Sequence, residues 1–468
     1  MRPISWTRWM PGLLAATHLI TVGFMLQVML GALIQILPVV AGANLGNPLV
    51  VSRWLHVGLS VGSILLAGGF LLGQPALLSA AALTLGLSIA AFLGVTGRAL
   101  SGVPSTSPTI RGLKFALFGL AGAVALGVLL ALALARGWAV PLPLLTDLHA
   151  GWALGGWAGI LLAAMAYVVV PMFQLTPGYP ARPSWWFPRV MLGLVLAWTL
   201  TVLVESPLAL RLIQGLAALA GIAFAALTLR LQMQRRRARS DATHRYWQLG
   251  LGSAIFALFF LFIAAAWPPL ADLPGWGLIF GILLLVGGFM SFIVGMLYKI
   301  VPFLAWLHMQ NCSSGQTPAP NMNRILPEAD MQRQVRAHAL AVILLLAAVV
   351  WPEWLARPAA WWRWPAAGCS TICWAPSVVT VATSRKIPQH ELPRPQASPR
   401  HLRRPQRPRL RSARLVDADR VAAAAGAPGA GRAACRRYPA ARQCAGHGLA
   451  ERPVPVRAEL ADGQVLRP

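Results

Sequence analysis

The chain has 468 residues, 57% of them hydrophobic and only 11% charged, against about a quarter charged in ordinary soluble proteins. Such a chain cannot cover itself in water, which excludes a soluble globular class. Basic residues outnumber acidic ones 40 to 13, but only Lys114, Lys299 and Lys386 are lysines, and many arginines sit in short loops between apolar blocks. There the positive-inside bias accounts for them, so no nucleic-acid partner is implied.

Apolar runs long enough to cross a hydrocarbon core of about 30 Å must be helical, because lipid offers the backbone no hydrogen-bond partners. In chain order they predict helices at 13–41, 54–73, 76–97, 115–135, 149–173, 190–206, 209–230, 247–267, 277–307 and 338–356, with an eleventh near 366–382. The first begins like a signal peptide, with Ala41-Gly42-Ala43 as a cleavage-like triplet, but it is too long for an h-region and reads as a membrane helix.

The loops give a direction. Arg53; Arg98, Arg111 and Lys114; Arg182 and Arg189; Arg235, Arg236, Arg237, Arg239 and Arg245; and Arg324, Arg333 and Arg336 follow the odd-numbered helices, whereas the alternate loops are short or carry Asp147, Glu205 and Asp272. The basic loops are expected in the cytoplasm of a bacterium and the N-terminus in the periplasm, against the opposing sign of Arg2 and Arg8. The expected location is the bacterial cytoplasmic membrane.

A repeat runs through the odd helices. The first ends Gly31-Ala32-Leu33-Ile34-Gln35-Ile36-Leu37-Pro38, the fifth Ala164-Met165-Ala166-Tyr167-Val168-Val169-Val170-Pro171, and the ninth Gly295-Met296-Leu297-Tyr298-Lys299-Ile300-Val301-Pro302. The prolines lie 133 and 131 positions apart (38, 171, 302), four helices each time. This predicts three four-helix units at about 13–135, 149–267 and 277–365 and beyond, each opening with a long helix that ends at a proline. Gly151, Gly155, Gly159 and Ala163 in the fifth helix, and Gly281, Gly288 and Gly295 in the ninth, predict close helix packing. The transmembrane domain is thus expected over 1–365. Residues 366–468 turn Arg-, Pro- and Ala-rich; they read as off-frame translation of GC-rich DNA starting within 366–385, or as a disordered cytoplasmic tail held by anionic lipid. The cysteines, Cys312, Cys369, Cys373, Cys435 and Cys444, show no metal-site spacing.

Histidines in or beside membrane spans are functional candidates, since a polar ring in lipid is costly unless something uses it. His18 and His149 stand 20 and 22 positions before their repeat prolines, at nearly equal depth, and two histidines at one level can supply both axial nitrogens of a haem iron. Asp147 is then expected to accept from His149 and fix its tautomer. An interfacial or interhelical hydrogen-bonding role is the plainer alternative for the pair. His56 and His308 are weaker candidates beside basic loops, as are Tyr167 and Tyr298 within spans. Lys299 is expected to snorkel to the cytoplasmic surface, His244 to be a solvated loop residue, and His338, opening the tenth helix, to be similar. No membrane-embedded carboxylate pair and no phosphate-binding loop appears, which counts against a proton-coupled pump or an ATPase.

The stretch Thr17-His18-Leu19-Ile20-Thr21-Val22-Gly23-Phe24, running on through Gly31 and Pro38 to Gly42, resembles the second helix of subunit I of the haem-copper oxidases and nitric oxide reductases. The segments His149–Pro180 and Gly295–Gln310 resemble those of subunit-I-like bacterial membrane proteins sometimes labelled permeases. The resemblance covers residues 10 to about 360 and implies three arcs of four helices, a b-type haem and a redox, respiratory or denitrification partner. The departures are specific: His149 stands where the family places a copper-ligand histidine, but the sixth helix, Val190–Glu205, lacks the adjacent histidine pair that completes the copper site, and the ninth begins Gly275-Trp276-Gly277-Leu278 with no histidine. No copper centre is therefore expected, and terminal-oxidase catalysis is not. The expected function is haem binding for electron relay, gas sensing or an accessory role. The alternatives are a permease for a small solute and a cofactor-free assembly protein.

Overall fold

A computed structural model describes residues 7–237, 239–273, 275–312 and 325–351. Among them ten helices are long and apolar enough to cross a membrane: α1 Pro11–Ala41, α2 Pro48–Leu72, α3 Pro75–Ser101, α4 Pro108–Arg136, α5 Leu142–Gln174, α6 Ala181–Val202, α7 Pro207–Met233, α8 Ala242–Ala266, α9 Trp276–Gln310 and α10 Glu328–Val350. No strand occurs among the described residues. Large apolar side chains face outward all along them, among them Ile64, Leu87, Leu200, Leu212 and Ile343, a surface that water would not tolerate and lipid would. The architecture is compatible with a polytopic membrane protein. The eleventh helix expected near 366–382, the tail 366–468 and the cysteines other than Cys312 lie outside the described residues.

The helices start earlier than the apolar runs do. Pro48, Pro75, Pro108 and Pro207 each open a helix, where the missing N–H costs nothing and the fixed φ suits the first turn. Ser107 and Ser206 cap α4 and α7 by accepting from the amides of Ile110 and Ala209, and Asp241 caps α8 through the His244 amide, each satisfying an otherwise orphaned donor. The largest shift is in α10, which begins at Glu328, with Glu328 and Asp330 in its first turn complementing the helix dipole.

Consecutive helices pack on one another from α1 to α10, and small residues set how closely. A Cβ added to Gly119 in α4 would stand 2.1 Å from the Gly156 carbonyl oxygen of α5, so the two backbones touch. The expected glycine row of α5 is divided: Gly151 meets Trp198 and Gly155 meets Val195 of α6, while Gly159 faces its own helix's Leu154 carbonyl. In α9, Gly295 lies against Tyr246 of α8 and Gly281 faces open space.

The repeat prolines do not end their helices. Pro38, Pro171 and Pro302 lie inside α1, α5 and α9, which continue to Ala41, Gln174 and Gln310; embedded in a bundle, a helix survives the one backbone bond a proline removes. A second feature recurs in the same three helices. Each contains a π-helical segment, Thr21–Leu26, Trp152–Gly159 and Ile282–Met290. Each segment ends twelve positions before its proline, at 26 before 38, 159 before 171 and 290 before 302. None of the other seven long helices contains one among the described residues. Since π turns make up well under ~1% of residues and concentrate at functional sites, this register marks where to look for the site.

Candidate functional site: histidines at the π segments

His18 and His149 are each the eighth residue of their helix and each stands three positions before a π segment, which begins at Thr21 or Trp152. The spacings of 20 and 22 to the prolines differ by the two residues that separate a six-residue from an eight-residue π segment. Both imidazoles are half-buried. His18 Nδ1 lies 2.8 Å from the Leu14 carbonyl oxygen, and His149 Nδ1 lies 2.9 Å from that of Ala123 in α4. A carbonyl can only accept, so both Nδ1 atoms carry the proton and both Nε2 atoms present a lone pair. Gly127, one turn beyond Ala123, makes the seat for His149: a Cβ there would come within 3.0 Å of Cε1. Phe70 of α2 flanks His18 with ring centroids 5.3 Å apart.

The beginnings of α1, α5 and α9 converge at this end. Arg8, just before α1, donates to Asp147 of α5 at 2.6 Å, and its Cδ lies 3.6 Å from where a Cβ on Gly277 of α9 would stand. Asp147 therefore does not hold His149 as expected. Residues two apart on a helix point away from each other, and the Ala123 carbonyl fixes the tautomer instead. In α9 the position three before the π segment is Ile279, between the stacked rings of Trp276 and Phe280 and the π turn.

A second level of polar contacts lies at the far ends of the π segments. In the widened turn some carbonyls lose their usual donor, and side chains supply one. Gln27, the first residue after the π segment of α1, donates to Gly23 O at 2.8 Å and accepts from His56 Nδ1 of α2 at 2.6 Å. Ser291 holds the same place in α9, and there His338 Nε2 of α10 donates to Val286 O at 3.2 Å and lies 3.0 Å from Ser291 Oγ. His338 is 5% exposed, which corrects its expected place beside a loop; α10 starts ten residues earlier than its apolar run, so this residue falls inside the bundle. The signal was present in the sequence, as Gln27 and Ser291 both stand eleven before a repeat proline (27 and 38, 291 and 302).

Nearer the basic loops, α8 and α9 carry a charged cluster. Asp241 Oδ2 accepts from Lys299 Nζ at 2.9 Å and from Arg237 at 3.0 Å, so Lys299 reaches the carboxylate that caps α8 at the basic α7–α8 loop. Burial works to raise the Asp241 pKa, but the Lys299 hydrogen bond, the His244 amide and the charges of Lys299 and Arg237 outweigh it and hold the carboxyl below the usual carboxylate range. His244 is buried, not solvated, with its Nδ1 3.1 Å from Gln174 Oε1 of α5. Thr243 donates to the Gly295 carbonyl at 2.9 Å, and Glu328 of α10 accepts from the Ala242 amide at 2.7 Å.

The remaining candidates stand apart from the paired histidines. Tyr298 is buried against Tyr246 of α8, with ring centroids 5.8 Å apart. Tyr167 packs edge-on against Tyr179 and Phe224, and its buried hydroxyl has no hydrogen-bond partner. His308 is exposed near the end of α9. No group of three or more His, Cys, Asp or Glu able to hold a metal ion exists among the described residues. No protein-family model matches the chain, and no curated protein matches it.

Proposed function

We propose that the chain is a membrane-embedded b-type haem protein of haem-copper-oxidase-subunit-I-like architecture, built of three related four-helix units, with His18 and His149 as axial ligands and no complete haem-copper catalytic centre. The observation that carries this reading is the state of the two imidazoles: each donates Nδ1–H to a backbone carbonyl and presents the Nε2 lone pair, as ligating histidines do. Their shared position three residues before a π segment supports it. The recurrence of the π segments at one distance from the prolines supports the three-unit architecture. Bound there, a haem would supply one-electron chemistry. Held by both His18 and His149, its iron would keep no position for a gas, which favours electron relay with a redox partner over gas binding.

The visible spectrum of the purified chain, expressed with ample haem, tests this. A Soret band is expected, abolished or shifted in His18→Ala and in His149→Ala and retained in His56→Ala, with helicity by circular dichroism unchanged. Absence of the band in the wild type, or an identical band in both variants, overturns the assignment.

A further inference from the structure

Where α4 and α6 begin, two arginines share one indole. The Arg111 guanidinium of α4 stands 4.3 Å from the centroid of Trp185 in α6, and that of Arg189 stands 5.5 Å from the same ring and 5.5 Å from Trp186. Lys114 and Arg182 lie in the opening turns of the same two helices. Four cations are thus gathered toward the positive ends of two helix dipoles, a placement that by itself is unfavourable.

No carboxylate offsets them: none of the four forms an ion pair among the described residues. Arg111 reaches the Ser105 carbonyl at 3.4 Å, Lys114 donates to that of Val103 at 2.6 Å, and Arg189 donates to that of Trp185. These bonds use one N–H of each guanidinium's five. Two turns deeper, on the same faces as the arginines, stand Phe118, 52% exposed, and Leu196, 40% exposed, and Trp186 between the helix ends is 63% exposed. A charged end, an amphipathic ring and an apolar stripe follow one another along this surface, in the order in which a lipid presents phosphate, glycerol and chain.

We propose that this α4–α6 face binds an anionic phospholipid, with its phosphodiester between Arg111 and Arg189 beside Trp185 and its acyl chains along Phe118 and Leu196. The site is independent of the paired histidines. Its occupant supplies the negative charge that the protein omits, and the two arginines select for net charge on the headgroup.

Native mass spectrometry of the full chain released from nanodiscs of equimolar phosphatidylglycerol and phosphatidylcholine reads the preference directly. At about 1 kcal/mol per arginine, phosphatidylglycerol should be retained roughly thirtyfold over phosphatidylcholine in the wild type. The preference should fall toward parity in R111Q/R189Q and persist in R235Q/R236Q, which removes the same charge elsewhere. If the double variant loses helicity, R189Q alone must lower the preference about fivefold. Equal retention of both lipids by the wild type, an unchanged preference in the arginine variants, an equal loss in R235Q/R236Q, or displacement of the lipid by inorganic phosphate alone overturns the proposal.

Discussion

Substituting Gly119 with alanine tests the close contact on which the π segment of α5 rests. The new methyl group would stand 2.1 Å from Gly156 O, 2.2 Å from Gly156 C and 2.8 Å from Trp157 N, all backbone atoms. No rotamer change can relieve this, so α4 and the π segment must separate from 2.1 Å toward the 3.4 Å of ordinary contact, a displacement of about 1.3 Å. Overpacking of a rigid contact costs about 1–3 kcal/mol, offset in part by the roughly 1 kcal/mol by which alanine favours a helix over glycine; losses of Gly122–Trp152 and His149–Ala123 contacts on the same interface raise it again. A net destabilisation of about 2 kcal/mol is expected. Unfolding in mixed micelles with a denaturing detergent, followed by helicity, measures it, with Gly31→Ala as control because nothing lies within 4 Å of a Cβ at Gly31. Gly119→Ala should also perturb any Soret band, since a misplacement of about 1 Å is enough to spoil a preorganised site. Equal stability of Gly119→Ala and Gly31→Ala would refute the backbone contact and, with it, the reason for glycine at both positions.

Two further substitutions probe buried polar groups of opposite kinds. Asp241→Asn leaves Lys299, whose side chain is 26% exposed, without its carboxylate and should cost about 2–3 kcal/mol. The carboxyl of Asp241 is held below its ordinary value, so its contribution is complete above the unfolded pKa of about 3.9 and is lost as pH falls below that toward the folded value. Melting temperature against pH from about 6 to 3 should therefore drop in the wild type and flatten in Asp241→Asn; parallel acid limbs would contradict this. Tyr167→Phe removes a buried hydroxyl that has no partner, and stability should stay level or rise by up to about 1 kcal/mol. A loss larger than that would mean the hydroxyl is satisfied and used.

The order and helical nature of the ten spans among the described residues were legible because 20-residue apolar blocks admit one interpretation in lipid. Their starts were not, since a proline at the first helical position and a basic or acidic first turn read as loop. That one bias displaced His338 and His244 from the bundle to its rim. The partner of Lys299 was not legible for another reason: Asp241 lies 58 positions away, and only the packing of α8 on α9 brings them together. Asp147 could have been judged correctly, because a separation of two on a helix already excluded the contact with His149. The repeat was legible in the prolines. The π segments were not, although the mismatch between 20 and 22 positions from histidine to proline carried their difference in length.

His338 is bonded through Nε2, whereas His56, like His18 and His149, is bonded through Nδ1; what sets His18 and His149 apart from His56 is their place three residues before a π segment. His338 gives its Nε2 to Val286 and Ser291, satisfying the carbonyl that the π turn of α9 sets free, and His56 is tied through Gln27 to the π turn of α1. Each serves its own helix pair, and interhelical bonding is enough to account for them. His18 and His149 donate Nδ1–H to the carbonyls of Leu14 and of Ala123 in α4, and the beginnings of their helices are joined by Arg8 and Asp147. The corresponding place in α9 is Ile279, which carries no ligating atom. The same contrast sets the order of experiments: losing His338 or His56 should first be felt in stability, and losing His18 or His149 first in the spectrum.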